Sequence, residues 1–138
     1  MREILFRGKR TINGDWVYGD FVHGNERKSL RDSIFVYDSE TQSFNDYEIN
    51  PSTLGQYTGL TDKNGKRIFE GDIVKAQDEI LGSPFCDGMN GKVVYDEAAY
   101  FIVLEDPMNS QWLYDECAVY EVIGNIHDNK LEDFDNGR

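Results

Sequence analysis

The stretch QYTGLTDKNGKRIFEGDIVK, residues 56–75, carries the strongest structural signals in the chain. Residues 62–65 (DKNG) have the composition of a tight turn, because Asp and Asn bond to nearby backbone and Gly tolerates positive φ. A short apolar step at Ile68-Phe69 leads to a second turn at residues 70–72 (EGD). The β-branched run Ile73-Val74 follows. A glycine just before such a run permits a sharp bend, which is typical of small barrels.

Downstream of this stretch, a pair of apolar runs predicts a hairpin. Residues 92–95 (KVVY) run out, residues 96–98 (DEA) turn, and residues 99–104 (AYFIVL) return. The returning run is apolar on both faces, which predicts a central buried strand. Residues 119–126 (VYEVIGNI) predict the last strand. Helical patterning is weak everywhere, and residues 111–117 are predicted to form one or two helical turns at most.

Upstream, the first 50 residues also alternate between strand and turn signals. Residues 3–7 and 16–22 (WVYGDFV) predict a hairpin around the turn residues 13–15 (NGD). After a polar loop at 23–33, two further strands are predicted at 34–37 and 44–49, separated by a turn. Pro51 is predicted to interrupt any strand ladder, because proline has no N–H to donate. Many short strands between glycine-rich turns favour a barrel or a sandwich.

The charge of the chain is strongly negative and unevenly distributed. The net charge is −12 over 138 residues. Residues 1–35 hold seven Lys/Arg and five Asp/Glu, or +2, whereas residues 36–138 hold seven and twenty-one, or −14. An acidic body repels phosphate backbones, which argues against direct nucleic-acid binding. The simpler interpretation is that the charge keeps the protein soluble.

Cysteine content and hydropathy predict a cytoplasmic location and no membrane partner. The chain has two cysteines, Cys86 and Cys117, with no CxxC motif, which favours a pair of reduced thiols over a disulfide scaffold. No basic-then-apolar leader is visible at the start, and no apolar run approaches the roughly 18 residues that span a bilayer.

The central stretch resembles the signature of the YopX family, which is found mainly in bacteriophages and prophages. The resembling residues, here called the signature segment, are YTGL (57–60), DKNGK (62–66) and IFEGDIV (68–74). Other segments agree in order along the chain: MREI (1–4) with FR (6–7), GKVVY (91–95), and VIGNI (122–126) followed by DN (128–129). The loop at 80–90, with Cys86 and Met89, departs from the family pattern as an insertion.

The resemblance implies a β-rich protein whose later residues form an SH3-like barrel, and it supplies no established activity and no catalytic residues. We therefore predict an all-β protein. Residues 1–55 are an N-terminal strand-rich segment, a β-hairpin and sheet that packs on a C-terminal SH3-like β-barrel at residues 56–127. Residues 128–138 are an acidic polar tail that is expected to fray.

No catalytic, cofactor-binding or metal-binding residue is assigned from the sequence. The turn at Asp62 fails the EF-hand pattern, because Gly65 follows the third ligand position and Lys66 occupies the fifth. Adjacent carboxylates recur at Asp78/Glu79, Asp96/Glu97, Glu105/Asp106 and Asp115/Glu116. Neighbouring residues on a strand point to opposite faces, so each pair gives at most one ligand to a given face. The only histidines, His23 and His127, lie in or beside predicted loops.

One neighbourhood combines basic and aromatic side chains. It consists of Trp16, Tyr18 and Phe21 near Arg7, Lys9, Arg10, Arg27, Lys28 and Arg31. Such a group can stack nucleic-acid bases or dock an acidic surface. The structural alternative is a core hairpin with charged outer positions.

These observations favour a non-enzymatic interaction or self-assembling protein of phage or prophage origin, acting in the bacterial cytoplasm. We expect a homo-oligomer, in which the +2 segment of one subunit packs on the −14 remainder of another, and a host protein is a second candidate partner. Two alternatives stay open. One is an acidic DNA mimic that inhibits a host nucleic-acid enzyme, and the other is a small hydrolase that uses carboxylates with Mg²⁺ or Mn²⁺.

Overall fold

In the computed structural model of the chain, the described residues form ten β-strands arranged in two antiparallel sheets. It describes residues 3–25, 27, 30–78, 88–96, 98–104, 111–113, 118–131 and 133–134. None of these residues is α-helical, so the all-β prediction is confirmed. In the described part of the chain there is accordingly no long apolar helix of the kind that crosses a bilayer.

The chain divides into two compact units, residues 1–59 and 60–138. The first four strands are β1 (Phe6–Arg10), β2 (Trp16–Val22), β3 (Ser33–Asp38) and β4 (Ser43–Thr61). The remaining six are β5 (Arg67–Phe69), β6 (Asp72–Asp78), β7 (Met89–Asp96), β8 (Ala99–Leu104), β9 (Gln111–Trp112) and β10 (Ala118–Asn125). The predicted strand at 16–22 therefore has the bounds of β2, and the predicted strands at 34–37 and 44–49 lie within β3 and β4.

In the first unit, the strands pair in a closed cycle. The order is β1-β2-β3-β4, and β4 also pairs with β1. Inside this cycle Ile34 and Ile49 are fully or almost fully buried. Two glycines allow the backbones to approach, since a Cβ at Gly8 would overlap Ile49 and one at Gly19 would overlap the Phe35 carbonyl oxygen. Small residues on β1 and β2 thus make room for large ones on β3 and β4.

Pro51 interrupts the ladder between β1 and β4, as predicted, but it does not end the strand. Lys9 pairs with Asn50 and Arg7 pairs with Gly55, so residues 51–54 bulge opposite Gly8. Thr53 bridges the gap, because its Oγ1 accepts the Lys9 N–H at 2.8 Å and donates to the Asn50 carbonyl at 2.6 Å. At the bulge, a side-chain hydroxyl thus supplies the acceptor for the Lys9 N–H.

The second unit is organised around a sheet of order β10-β6-β7-β8-β9. Its core is a cluster of side chains from this sheet, from β5 and from the residue after β9: Ile68, Val74, Ala76, Val93, Ile102, Leu113 and Tyr120. The predicted β7–β8 hairpin forms, but Asp96 pairs with Ala99 as the last residue of β7 and is not part of the turn. β8 lies between two other strands, as predicted for a buried run, and its Ile102 is fully buried.

One local prediction in this unit is wrong. Gln111 and Trp112, expected in a helical turn, form β9 by pairing with Ile102 and Phe101, and residues 114–117 lie outside the described residues. A pairing partner distant in sequence thus outweighs a weak local helical preference.

The chain was also expected to fray from Asp128, and in the described part of this tail two side-chain hydrogen bonds link it to the rest of the second unit. Asn129 Oδ1 accepts the Asn125 N–H at 3.3 Å, and the Phe134 carbonyl accepts a hydrogen bond from Asn90 Nδ2 at 2.9 Å. Hydrogen bonds to β7 and to the end of β10 therefore hold this segment to the second unit.

Candidate functional site

Exposed aromatic rings cover one face of the sheet in the first unit. Tyr37 and Phe44 pair directly across β3 and β4, with ring centroids 5.3 Å apart in an edge-on arrangement. Each is 56% exposed. Phe35 lies two residues before Tyr37 on the same face, with its ring 6.4 Å from Phe44. Clustered exposed rings of this kind are typical of interaction sites, whereas single exposed apolar residues are ordinary.

Carboxylates flank the rings on both sides. Asp20 on β2 pairs with Phe35, and Phe35 pairs in turn with Asp46 on β4, so all three share one face. Both aspartates are exposed. We call Asp20, Phe35, Tyr37, Phe44 and Asp46 the outer face. No Lys or Arg occurs in the sequence between Asp32 and Asp62, so β3 and β4 carry only acidic formal charges around these rings.

Strand alternation explains why these rings point outward. In β3, Ile34 is fully buried, so its neighbours Phe35 and Tyr37 must project to the other side. The turn at residues 39–42 then fixes the register that sets Tyr37 opposite Phe44. Asp38 Oδ1 accepts the Glu40 N–H at 2.9 Å, and Gln42 closes the turn with a φ of 53°.

The first turn of the signature segment is built around the side chain of Asp62. Asp62 Oδ1 accepts the N–H groups of Asn64 and Lys66, both at 2.9 Å, and Oδ2 accepts the Val122 N–H at 3.0 Å. Only 8% of the residue is exposed. Burial raises the pKa of Asp62, but the three N–H hydrogen bonds and the nearby Lys66 charge outweigh it, so the pKa lies below its ordinary value of 3.8. The hydrogen bonds to Asn64 and Lys66 close the turn, and the hydrogen bond to Val122 joins it to β10.

The second turn of the signature segment uses Asp72 in a similar way. Asp72 is almost fully buried, and its Oδ2 accepts the Phe69 N–H at 2.7 Å. Gly71, with a φ of 92°, donates to the Val93 carbonyl and accepts from the Ile126 N–H, each at 2.8 Å. Asp62, Gly71 and Asp72 therefore hold backbone segments together, and all three are buried structural groups.

A cleft of about 850 Å³ opens in the first unit beside the loop that joins β2 and β3. Asp32 organises its wall, because Oδ1 accepts the Gly24 N–H at 2.6 Å and lies 2.9 Å from His23 Nδ1. Glu48 Oε1 accepts a hydrogen bond from the Thr11 hydroxyl at 3.0 Å, and Arg31 Nε lies 4.0 Å from Glu48 Oε2. The acidic and basic groups of the cleft thus largely pair with one another.

Comparison with known proteins assigns the chain to a family. A family model described as YopX protein matches residues 5–132. This chain belongs to the YopX family. A similar fold occurs in the crystal structure of protein EF1440 from Enterococcus faecalis, with a TM-score of 0.54 and 24% sequence identity, over 94% of this chain and 96% of that chain. No curated protein matches.

The basic–aromatic neighbourhood of this YopX protein forms only in part. The Arg7 guanidinium lies 4.7 Å from the Trp16 ring centroid and Lys9 Nζ lies 5.5 Å from it. Arg7 is buried, which favours the structural interpretation of a hairpin with charged groups packed on its rings. Phe21 lies on the opposite face of β2 and packs on Phe6, 5.8 Å away between centroids.

The other basic residues of that neighbourhood lie apart from Trp16. Arg10 stacks on Tyr47, 4.5 Å from its ring centroid, and Arg27 and Arg31 line the cleft. Lys28 lies outside the described residues. A single stacking platform for nucleic-acid bases is therefore not assembled from the described members of this group.

The carboxylate pairs and thiols considered for catalysis fall mainly outside the described residues. These are Glu79, Glu97, Glu105, Asp106, Asp115, Glu116, Cys86 and Cys117. Among the residues that the YopX structure describes, no three His, Cys, Asp or Glu side chains converge to hold a metal ion. His23 lines the cleft, whereas His127 sits in the turn after β10, where its N–H donates to Asn125 Oδ1 at 3.0 Å.

The outer face could not be identified from the sequence alone. The strands that carry it were predicted, and the alternation of Ile34 with Phe35 was visible. Which aromatic faces which depends on the cross-strand register, and a shift by one residue would send Phe44 to the other side of the sheet. The turn hydrogen bonds that fix this register involve Asp38 and Gln42, which the sequence marks only as a general turn.

Proposed function

We propose that this YopX protein is a non-enzymatic interaction protein of phage or prophage origin that acts in the bacterial cytoplasm. The observation that supports this proposal is the outer face, where Tyr37 and Phe44 are more than half exposed although both are large apolar rings. Aromatic rings are enriched in protein–protein interfaces because they bury much area with little loss of side-chain freedom. Binding a partner would cover these rings.

The domain architecture is a second part of the proposal. We propose that residues 1–55 form a strand-rich segment, residues 56–127 an SH3-like barrel, and residues 128–138 an acidic polar tail. The sheet order β10-β6-β7-β8-β9 supports the barrel, since the last strand returns to the first strand of the β6–β9 meander. A crystal structure in which this sheet stayed open and flat would contradict the barrel.

One form of the proposed interaction function is self-assembly. Residues 1–35 carry +2 and residues 36–138 carry −14, so the N-terminal segment of one copy is attracted to the remainder of another. Sedimentation velocity at low and moderate salt tests this form. A homo-oligomer that dissociates as salt is added supports it, and a monomer under all conditions removes it.

DNA mimicry is a second form, and the net charge of −12 favours it. Surface carboxylates would imitate phosphates and occupy the groove of a host enzyme that handles nucleic acid. Competition experiments decide this form. Displacement of DNA from one host protein supports mimicry, and indifference of such proteins to the chain rejects it.

A hydrolase dependent on Mg²⁺ or Mn²⁺ is the enzymatic alternative, and it rests on the recurring carboxylate pairs of the sequence. Titration calorimetry with each metal tests it. Saturable binding at micromolar metal would favour this alternative over the interaction proposal, and the absence of saturable binding would eliminate it.

The test of the main proposal is affinity capture from bacterial lysate with the tagged chain, read by quantitative mass spectrometry at two salt concentrations. One host protein recovered near stoichiometry, or a second copy of the untagged chain, supports an interaction function. Recovery of the bait alone at both salt concentrations contradicts it and directs attention to small ligands.

A further inference from the structure

We propose that the outer face docks an arginine-rich segment of a partner protein. This inference rests on the proposed interaction function and specifies the chemistry of the partner. It follows from two features that share one face of the sheet, the exposed rings of Tyr37 and Phe44 and the exposed carboxylates of Asp20 and Asp46.

The rings provide surfaces on which guanidinium groups stack. Tyr37 and Phe44 meet at an interplanar angle of 62°, so their ring planes point in different directions rather than covering each other. A planar guanidinium binds over such a ring through cation–π attraction and through contact area, and Arg does so more often than Lys. A simple apolar partner would use the same rings but would leave the neighbouring charges unpaired.

The carboxylates provide the second contact. Asp20 and Asp46 lie on the strands to either side of Phe35, roughly 10 Å apart by ordinary strand spacing. Within the described part of the chain, neither aspartate has a basic side chain at salt-bridge distance. Arg forms bidentate hydrogen bonds with carboxylates, which a lysine ammonium cannot reproduce. The rings and the carboxylates together therefore match a segment with arginine at alternate positions better than a segment with any other common side chain there.

The same charges disfavour the other classes of occupant. Nucleic acids and anionic membrane surfaces carry phosphates, which the aspartates repel. Two copies meeting through the same face would bring like charges together, because a symmetric contact sets each patch against itself. A basic protein segment has neither problem.

The experiment measures binding of a short fluorescent peptide of alternating Arg and Gly residues to the full chain by anisotropy. We expect saturable binding that weakens about tenfold in the variant Tyr37→Ala/Phe44→Ala. The variant Asp20→Asn/Asp46→Asn should also bind more weakly and should show less dependence on salt. The matched control is Ile4→Ala/Ile12→Ala, which truncates two other exposed apolar residues, 59% and 74% exposed, and should bind like the wild type.

A peptide of alternating Lys and Gly separates stacking from charge alone. Equal affinity for the two peptides, or unchanged affinity in the ring variant, would overturn the proposal. Thermal unfolding identifies any variant that fails to fold. If the ring variant fails to fold, the aspartate variant serves as the test. If no basic peptide binds while lysate capture still recovers a partner, the arginine inference fails and the interaction function stands.

Discussion

The side chain of Asp62 accepts a hydrogen bond from the backbone N–H of Val122 at 3.0 Å, across 60 residues of sequence. The same carboxylate also closes its own turn by accepting from Asn64 and Lys66. A second link lies beside it, because the Lys63 N–H donates to the Tyr120 carbonyl at 2.9 Å and Lys63 pairs with Glu121 at 3.0 Å. The turn of the signature segment is thereby joined to β10.

Replacing Asp62 with Asn should destabilise the chain by roughly 2–3 kcal/mol, because the amide cannot accept all three N–H groups and leaves a buried donor without its acceptor. Urea unfolding measures the change. The control is Asp15→Asn, an exposed turn residue, which should change the unfolding free energy by less than about 0.5 kcal/mol. Equal effects of the two substitutions would contradict the structural role of Asp62.

The pH dependence of stability should also trace to Asp62. Its pKa in the folded chain lies below 3.8, so the unfolded chain binds its proton first as the pH falls. The carboxylate therefore contributes its full stability above the unfolded pKa and loses it as the pH drops through the folded pKa. Acid titration of the unfolding free energy should give a shallower decline below about pH 4 in Asp62→Asn than in the wild type. Parallel curves would show that other groups govern acid stability.

The bulge in β4 gives a test of the first unit. Thr53→Val keeps the shape of the side chain but removes the acceptor for Lys9 and the donor for Asn50, and it should cost about 1–2 kcal/mol. Thr53→Ser retains the hydroxyl and should lose much less. If Val and Ser destabilise the chain equally, then the methyl group matters and the hydroxyl bridge does not.

Local patterns in the sequence were sufficient to predict most of the strands. Residues 16–22 are rich in aromatic and β-branched side chains, and Gly71-Asp72 opens β6 as expected. Long-range pairings were less accessible. Gln111 was expected in a helical turn but lies in β9, because β8 offers backbone groups for pairing there. No residue within the segment itself indicates that β8 is its partner. Asp62 was recognised as a turn residue, but its bond to Val122 depends on where β10 lies.

The candidate site was the least predictable feature. The basic–aromatic neighbourhood at Trp16 looked the more suggestive in sequence, and the fold buries its Arg7 against the ring. The outer face draws Asp20, Tyr37 and Phe44 from three strands, and only the observed register brings them together. Residues close in sequence thus predicted the strands, whereas the outer face depends on the pairing of three strands.

Two turn residues have backbone conformations that favour glycine. Gln42 has a φ of 53° and Ala98 has a φ of 63°, in the left-handed region where a Cβ is strained. Gln42→Gly and Ala98→Gly should each stabilise the chain by about 0.5 kcal/mol, since relief of strain slightly exceeds the extra entropy of an unfolded glycine. Thermal unfolding measures both. Ser39→Gly, at a turn position without a positive φ, should be neutral or destabilising, and stabilisation by all three would contradict the strain explanation.

Affinity capture from bacterial lysate with three baits tests the central claim that the outer face is the interaction surface. The baits are the wild type, the ring variant Tyr37→Ala/Phe44→Ala and the control Ile4→Ala/Ile12→Ala, each first shown to unfold at a similar temperature. We predict that the wild type and the control recover the same partner near stoichiometry and that the ring variant loses it. Equal recovery by all three baits would contradict the claim and place the contact elsewhere on the chain.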